Sequence, residues 1–285
     1  MQSDDQLAVV LARYWNDYAQ HLPSARSIKA ACKNALEHWP DPNVSDLDRK
    51  AQLSLVTVLR AEGLSDWTIQ NRLGRIWAAM NWAKRDNPAL LVPDMITAAD
   101  WKPILPNRER VYSLEELAAL LNASQDRPHW RRFLILAIAT AGRGAAVREL
   151  TWQQVDTRLG RISLNPEGRA QTKKRRPVVP ICPTLVAELA TWERRGSVVV
   201  DLKGKPLSTS EFFDHLAEAA GVTGGAHVIR HTVRTWLAEH GVPDSDADMF
   251  MGHKGSGSHT GARYTHRKPE YLVSVTRHLR SCSLP

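Results

Sequence analysis

A chain of 285 residues, 43% hydrophobic and 24% charged, has the composition of an ordinary globular protein and length enough for two domains. No run approaches the ~18 apolar residues of a membrane helix, which argues against a membrane partner. The formal net charge of +8 is unevenly placed: residues 1–105 carry 12 Lys and Arg against 12 Asp and Glu, and residues 106–285 carry 26 against 18. A basic second part attracts nucleic acid by neutralising phosphates and releasing counterions.

The chain opens on Met1-Gln2-Ser3-Asp4-Asp5, which has neither the basic start nor the apolar stretch of a signal peptide. Cys32, Cys182 and Cys282 are scattered, odd in number and without metal-ligand spacing. They read as reduced thiols of a cytoplasmic protein, with no disulfide framework and no structural zinc.

Leu7, Val10, Leu11 and Tyr14 recur at helical spacing, and three more helices are predicted over 27–36, 50–59 and 67–82. Pro23, the Pro40-Asp41-Pro42 turn and Gly63 punctuate them, and Ser65 or Asp66 can cap the fourth. Between Pro93 and Tyr112 the period is lost, with Pro93, Pro103, Pro106, Arg108 and Arg110, and the stretch reads as a linker. Ser113-Leu114-Glu115-Glu116 is a capping-box pattern that opens a helix, and a hydrophobic helix follows over 130–140. Short strands are predicted at 161–164 and 177–181 with a basic turn between them. The remainder reads as helical, broken at 196–206, 221–225, 241–243 and 252–261. The expected fold is mainly α, with one small antiparallel sheet in its second part.

The chemistry lies in His227-Val228-Ile229-Arg230-His231, Met251-Gly252-His253 and Tyr264. An arginine fork donates two hydrogen bonds to a phosphate and keeps its charge. A histidine passes a proton near neutral pH, and a tyrosine hydroxyl can attack phosphorus to form a covalent ester. The order HxxRH, GH, Tyr resembles the tyrosine recombinases, or phage-type integrases.

The resemblance implies a helical core-binding domain over 1–105 with a linker to about 112, then a catalytic domain over 113–285. Arg143, in Thr140-Ala141-Gly142-Arg143 and seven residues before Leu150-Thr151-Trp152, matches the first arginine of the family better than Arg148 does. With Arg230 it would clamp the scissile phosphate. The family usually has Glu or Asp three residues on, where this chain has Ala146, which puts the support of the site in question; Glu149 is nearby in sequence. Gln171–Pro180 resembles the hairpin that delivers a catalytic lysine as general acid for the leaving 5′ oxygen: Lys173, with Lys174 as the alternative, and with Arg175 and Arg176 as DNA contacts. His227 and His253 assist at the phosphate and at the nucleophile's proton, and His231 is a supporting residue. Tyr264, in Thr260-x-x-x-Tyr264-x-His266, is the nucleophile, with Tyr271 as its competitor. Leu272, Val275, His278 and Leu279 make one apolar face of a terminal helix, which would dock on a neighbouring protomer or on its own domain.

The implied activity is site-specific strand cleavage and ligation through a 3′-phosphotyrosyl intermediate, independent of ATP, cofactor and metal. The implied partners are double-stranded DNA at attachment or core sites, three further copies in a tetramer on DNA, and accessory DNA-bending or directionality proteins. Other readings are a type IB topoisomerase-like relaxing enzyme, a catalytically weakened DNA-binding relative, and a metal hydrolase using His227, His231 and His253. Against the last, no carboxylate or cysteine stands at ligand spacing.

Overall fold

The computed structural model describes residues 4–39, 42–104, 110–172, 174–207, 211–253 and 272–280. The chain divides into two compact units, Met1–Asn107 and Arg108–Pro285.

The first unit is helical: α1 (Leu7–Asp17), α2 (Ala25–His38), α3 (Arg49–Ala61), α4 (Asp66–Asp86) and the single turn α5 (Ala98–Trp101). Leu7, Val10, Leu11 and Tyr14 form the buried stripe of α1, as their spacing predicts. α4 is the central element and packs against α1, α2 and α3. It buries Ile69, Leu73, Ile76, Trp77 and Met80, worth about 1.5–3 kcal/mol for each large side chain removed from water. Of the two candidate caps, Ser65 takes the role, its hydroxyl accepting from the Thr68 amide at 3.3 Å. Asp66 instead receives two hydrogen bonds from Arg60, at 2.7 and 2.9 Å.

The stretch after α4 is no free linker. Gln52, fully buried, donates to the carbonyls of Leu47 and Asp94, both at 2.9 Å, and accepts from the Ile96 amide at 2.7 Å. Trp77 Nε1 donates to the Pro93 carbonyl at 2.7 Å, and the Ile104 amide to Asp66 at 2.6 Å. A capping box of Thr97 and Asp100 starts α5, whose Trp101 is buried. The prolines conceal this because the packing is non-periodic and rests on side chains some forty residues away. Arg110 and Tyr112 likewise belong to the second unit: Arg110 pairs with Glu116, and the Tyr112 amide donates to Thr232 at 2.8 Å. Pro40, Asp41, Pro106 and Arg108 lie outside the described residues.

The second unit opens on α6 (Leu114–Ala123), with the Ser113–Glu116 capping box formed in both directions. The apolar α7 (Pro128–Thr140) runs through its core, followed by α8 (Gly144–Arg148). Strands β1 (Val155–Asp156), β2 (Arg161–Ser163) and β3 (Val178–Pro180) form an antiparallel sheet in chain order, with Ile162 opposite both Val155 and Val179. Pro180 is tolerated because β3 is an edge strand, where no ladder donor is required on the open side. After α9 (Pro183–Thr191) comes a second, unpredicted sheet in the stretch read as a break: the hairpin β4 (Asp201–Leu202) and β5 (Lys205–Pro206). Lys203 and Gly204 both have positive φ, 53° and 78°, as the tightest hairpin turn requires.

Helices α10 (Glu211–Ala219), α11 (Ala226–Glu239), α12 (Asp244–Met251) and α13 (Val273–Arg280) complete the unit. α13 packs on α11 and α12 of its own unit, with Leu272 and Val275 buried. No helix among the described residues is long and apolar enough to cross a membrane.

Candidate active site

The site begins where α7 ends. Thr140 turns its hydroxyl back to the Leu136 carbonyl at 2.6 Å and accepts from the Gly142 amide at 3.1 Å. Ala141 is left-handed, at φ 47°, an uncommon conformation for a residue with a Cβ. A Cβ on Gly142 would lie 2.8 Å from Val147 and 2.9 Å from the Thr140 hydroxyl, so only glycine fits there. This tight turn delivers Arg143 as the N-cap residue of α8. Arg148, its competitor in the sequence, bends back toward the Gly144 carbonyl within α8.

Arg230 projects from α11 and is 4% exposed. Its guanidinium donates to the carbonyl of Ala141 and, at 2.7 Å, to the carbonyl of Met251 at the end of α12. A third contact, at 2.8 Å, joins Nη2 to Nε2 of His253. Two loop ends and one helix therefore meet on one side chain.

α12 ends in a Schellman motif around Gly252, at φ 69°: the Gly252 amide donates to Met249 at 3.1 Å and the His253 amide to Asp248 at 2.8 Å. The His253 ring then reaches the same residue by its side chain, with Nδ1 3.2 Å from the Asp248 carboxylate.

The basic loop enters from the sheet. Leu164 donates to the Pro177 carbonyl at 3.0 Å, so the ladder continues past β2 and the loop lies between Leu164 and Pro177, where the sequence places the basic turn. Gln171 closes its tip, donating to the Arg176 carbonyl at 2.8 Å and accepting from the Arg176 amide at 3.1 Å. Arg143 donates to the Arg175 carbonyl, which brings the loop to the arginine turn. Lys174 and Arg175 are exposed. The Arg176 side chain is only 11% exposed and pairs with Glu149 at 2.7 Å, so it braces the loop against α8 and is a poor candidate for a phosphate contact. Glu149 thus supports Arg176, while Ala146, at 2% exposure, is part of the core.

The electrostatics follow from burial. Desolvation, then the nearby Arg143, pulls the Arg230 pKa down to about 10, which leaves it charged at neutral pH. Arg143 is lowered by burial and by Arg176. His253 is lowered by burial and by Arg230, against the opposing pull of Asp248. Among the described residues no carboxylate pairs with Arg143 or Arg230, so the site is a partly desolvated cationic cluster suited to an anion.

His227 lies one turn before Arg230 on α11, exposed, with its ring edge-on to His231 at 4.6 Å. Lys173, Tyr264 and Tyr271 lie outside the described residues. The structure thus brings together Arg143, Arg230, His253 and the basic loop. It adds three residues to which the sequence reading gave no role, Ala141 through its carbonyl, Asp248 and Gln171, and it gives Glu149, noted there as nearby in sequence, Arg176 as its partner. Of these, Asp248 had a local signal, lying four residues before a helix-ending glycine.

A sequence model of the Phage integrase family matches residues 110–270, which include every part of this site. No curated protein matches the chain by sequence. Among solved structures, a lambda integrase dimer bound to a COC′ core site superposes with a TM-score of 0.68 at 18% identity, over 88% of this chain and 96% of that one. A Tn1549 transposon integrase in complex with transposon right-end DNA gives 0.72 at 16% identity, over 96% and 99%. A lambda integrase tetramer bound to a Holliday junction gives 0.67 at 18% identity, over 93% and 78%. The family match spans more than half of the chain and the fold agrees along nearly all of it: the chain belongs to the phage integrase family, the tyrosine recombinases.

Proposed function

We propose that this protein is a site-specific DNA recombinase that cleaves and rejoins strands through a covalent 3′-phosphotyrosyl intermediate. The observation that carries this reading is the cationic pair of buried Arg230 and half-buried Arg143, with His253 beside it and no compensating carboxylate among the described residues. Uncompensated buried charge is costly, and a phosphate diester offsets that cost on binding.

In this mechanism the two guanidiniums hold the non-bridging phosphate oxygens and neutralise the charge that builds at phosphorus. Tyr264 attacks: its oxygen bonds to phosphorus, the bond to the 5′ oxygen breaks, and the phenol proton passes to a histidine, His253 or His227. The departing 5′ oxygen takes a proton from the lysine of the basic loop, Lys173 or Lys174. The cationic groups do the work of charge neutralisation, so the reaction asks for no metal, cofactor or ATP. The phosphotyrosine keeps the energy of the broken bond for the rejoining step.

The partner is double-stranded DNA at a core or attachment site, with residues 1–105 holding the duplex and 113–285 acting on it. The assembly is a tetramer on a Holliday junction, as in the lambda integrase neighbour. The protein would act in the cytoplasm, on the nucleoid. A second reading, a DNA-binding relative with weakened catalysis, is favoured by Ala146, which leaves the core without the family's usual acidic group.

The test uses a library of nicked duplexes of randomised sequence, incubated with the full chain in chelator and denatured. Recovery of protein-linked strands sharing one sequence from wild type, and none from Tyr264→Phe, supports the recombinase. Adduct from both variants moves the nucleophile to Tyr271. Sequence-selective binding with no adduct from either establishes the second reading.

A further inference from the structure

We infer that Asp248 is a positioning residue of this site: through His253 it decides which imidazole nitrogen faces Arg230. This rests on the recombinase reading for its consequence, but not for its geometry.

The geometry starts in the backbone. The Schellman motif brings the fourth residue from the end of α12 against the second residue beyond it, and that contact is frequently apolar. Here the two positions are Asp248 and His253. They are joined twice, amide to carbonyl at 2.8 Å and ring Nδ1 to carboxylate at 3.2 Å. On the far side of the ring, Nε2 lies 2.8 Å from Arg230 Nη2. A guanidinium has only donors, so Nε2 must accept, and the ring proton must sit on Nδ1, donated to Asp248.

The carboxylate is well placed for this. Its side chain is 15% exposed, and its other cationic neighbour, Arg234, stands 3.9 Å away and is held more closely by Asp244 at 2.7 Å. The groups facing His253 are therefore Asp248 from α12, Arg230 from α11 and Arg143 from the turn before α8. Without Asp248, the Nδ1 proton would lose its acceptor and the ring its anchor: the proton would return to Nε2, the position imidazole prefers in water, and the ring would turn away from Arg230, because two donors cannot face each other across 2.8 Å.

The consequence concerns the proton of the nucleophile. When a phosphate draws Arg230 Nη2 onto its own oxygen, the Nε2 lone pair is left beside the reacting centre. The tyrosine proton can move onto it as the O–P bond forms and the bond to the 5′ oxygen breaks. Asp248 then carries the charge opposite to the imidazolium.

Nitrogen-15 NMR of the imidazole rings, with His253 assigned by its His253→Gln variant, tests the geometry on the full chain without DNA. Wild type is expected to show neutral His253 protonated on Nδ1. Asp248→Asn, whose amide oxygen still accepts, keeps that tautomer, and Asp248→Leu moves the proton to Nε2. In adduct formation, Asp248→Leu is expected to lose at least roughly 10–100-fold, the range for partners that orient metal-bound histidines, with Asp248→Asn retaining more. The Schellman backbone bonds do not need the side chain, so a thermal melt near wild type accompanies both variants. A wild-type ring protonated on Nε2, or a Leu variant with unchanged tautomer, overturns the inference. So does a changed tautomer with an unchanged adduct rate. A wild type that forms no adduct refutes the recombinase reading and leaves the tautomer result standing.

Discussion

Gly252 and Pro177 meet so closely that a Cβ on the glycine would lie 2.7 Å from the proline Cδ and 2.9 Å from the Arg175 carbonyl. That contact seats the end of α12 on the root of the basic loop. Gly252→Ala would add the clash to a left-handed φ of 69°. A loss of about 1–3 kcal/mol is expected. Denaturant unfolding measures it, and the covalent adduct should fall further than stability does, because His253 and the loop shift together.

Arg143 and Arg230 should separate by what their loss removes. Arg143→Lys keeps a charge and takes away a half-buried fork, so adduct formation should drop about 10²–10³-fold with little change in melting. Arg230→Lys also leaves the Ala141 and Met251 carbonyls short of donors in the interior. A stability loss of about 1–3 kcal/mol is expected in addition, which calorimetry of the two variants distinguishes.

Gln52 ties the stretch after α4 to its unit. Gln52→Leu removes three hydrogen bonds and leaves the Ile96 amide and two carbonyls unpaired. Destabilisation of about 1–3 kcal/mol for an unsatisfied buried group is expected. Hydrogen exchange at Ile96 should accelerate more than exchange in the middle of α4.

Asp100 sets a pH window. Arg49, followed by the Thr97 amide and hydroxyl, holds its carboxyl down at about 2, below an ordinary value of 3.8. A lowered folded value means stability that is present above the unfolded pKa and lost as pH falls through the folded one. The contribution should therefore vanish between about pH 4 and 2, and Asp100→Asn should flatten that part of the stability curve. Carbon-13 titration of the Asp100 carboxyl reads the shift directly.

Features that depend on neighbours a turn or two away were legible in the order of residues. The stripe from Leu7 to Tyr14, the box of Ser113 and Glu116, and the order of Arg143, His227, Arg230 and His253 are local patterns. Helix periodicity and capping act over three or four residues, so they can be read in one dimension. The packing of residues 93–104 was not legible there, because Gln52 reaches them across more than forty positions. The same holds for Arg176, whose basic run looked like a DNA surface and whose side chain turns inward to Glu149. The Ala141 carbonyl entered the site through a backbone angle and an arginine 89 residues away. Such contacts are set by which chain ends meet when apolar faces are buried, and the one-dimensional pattern carries no record of that meeting.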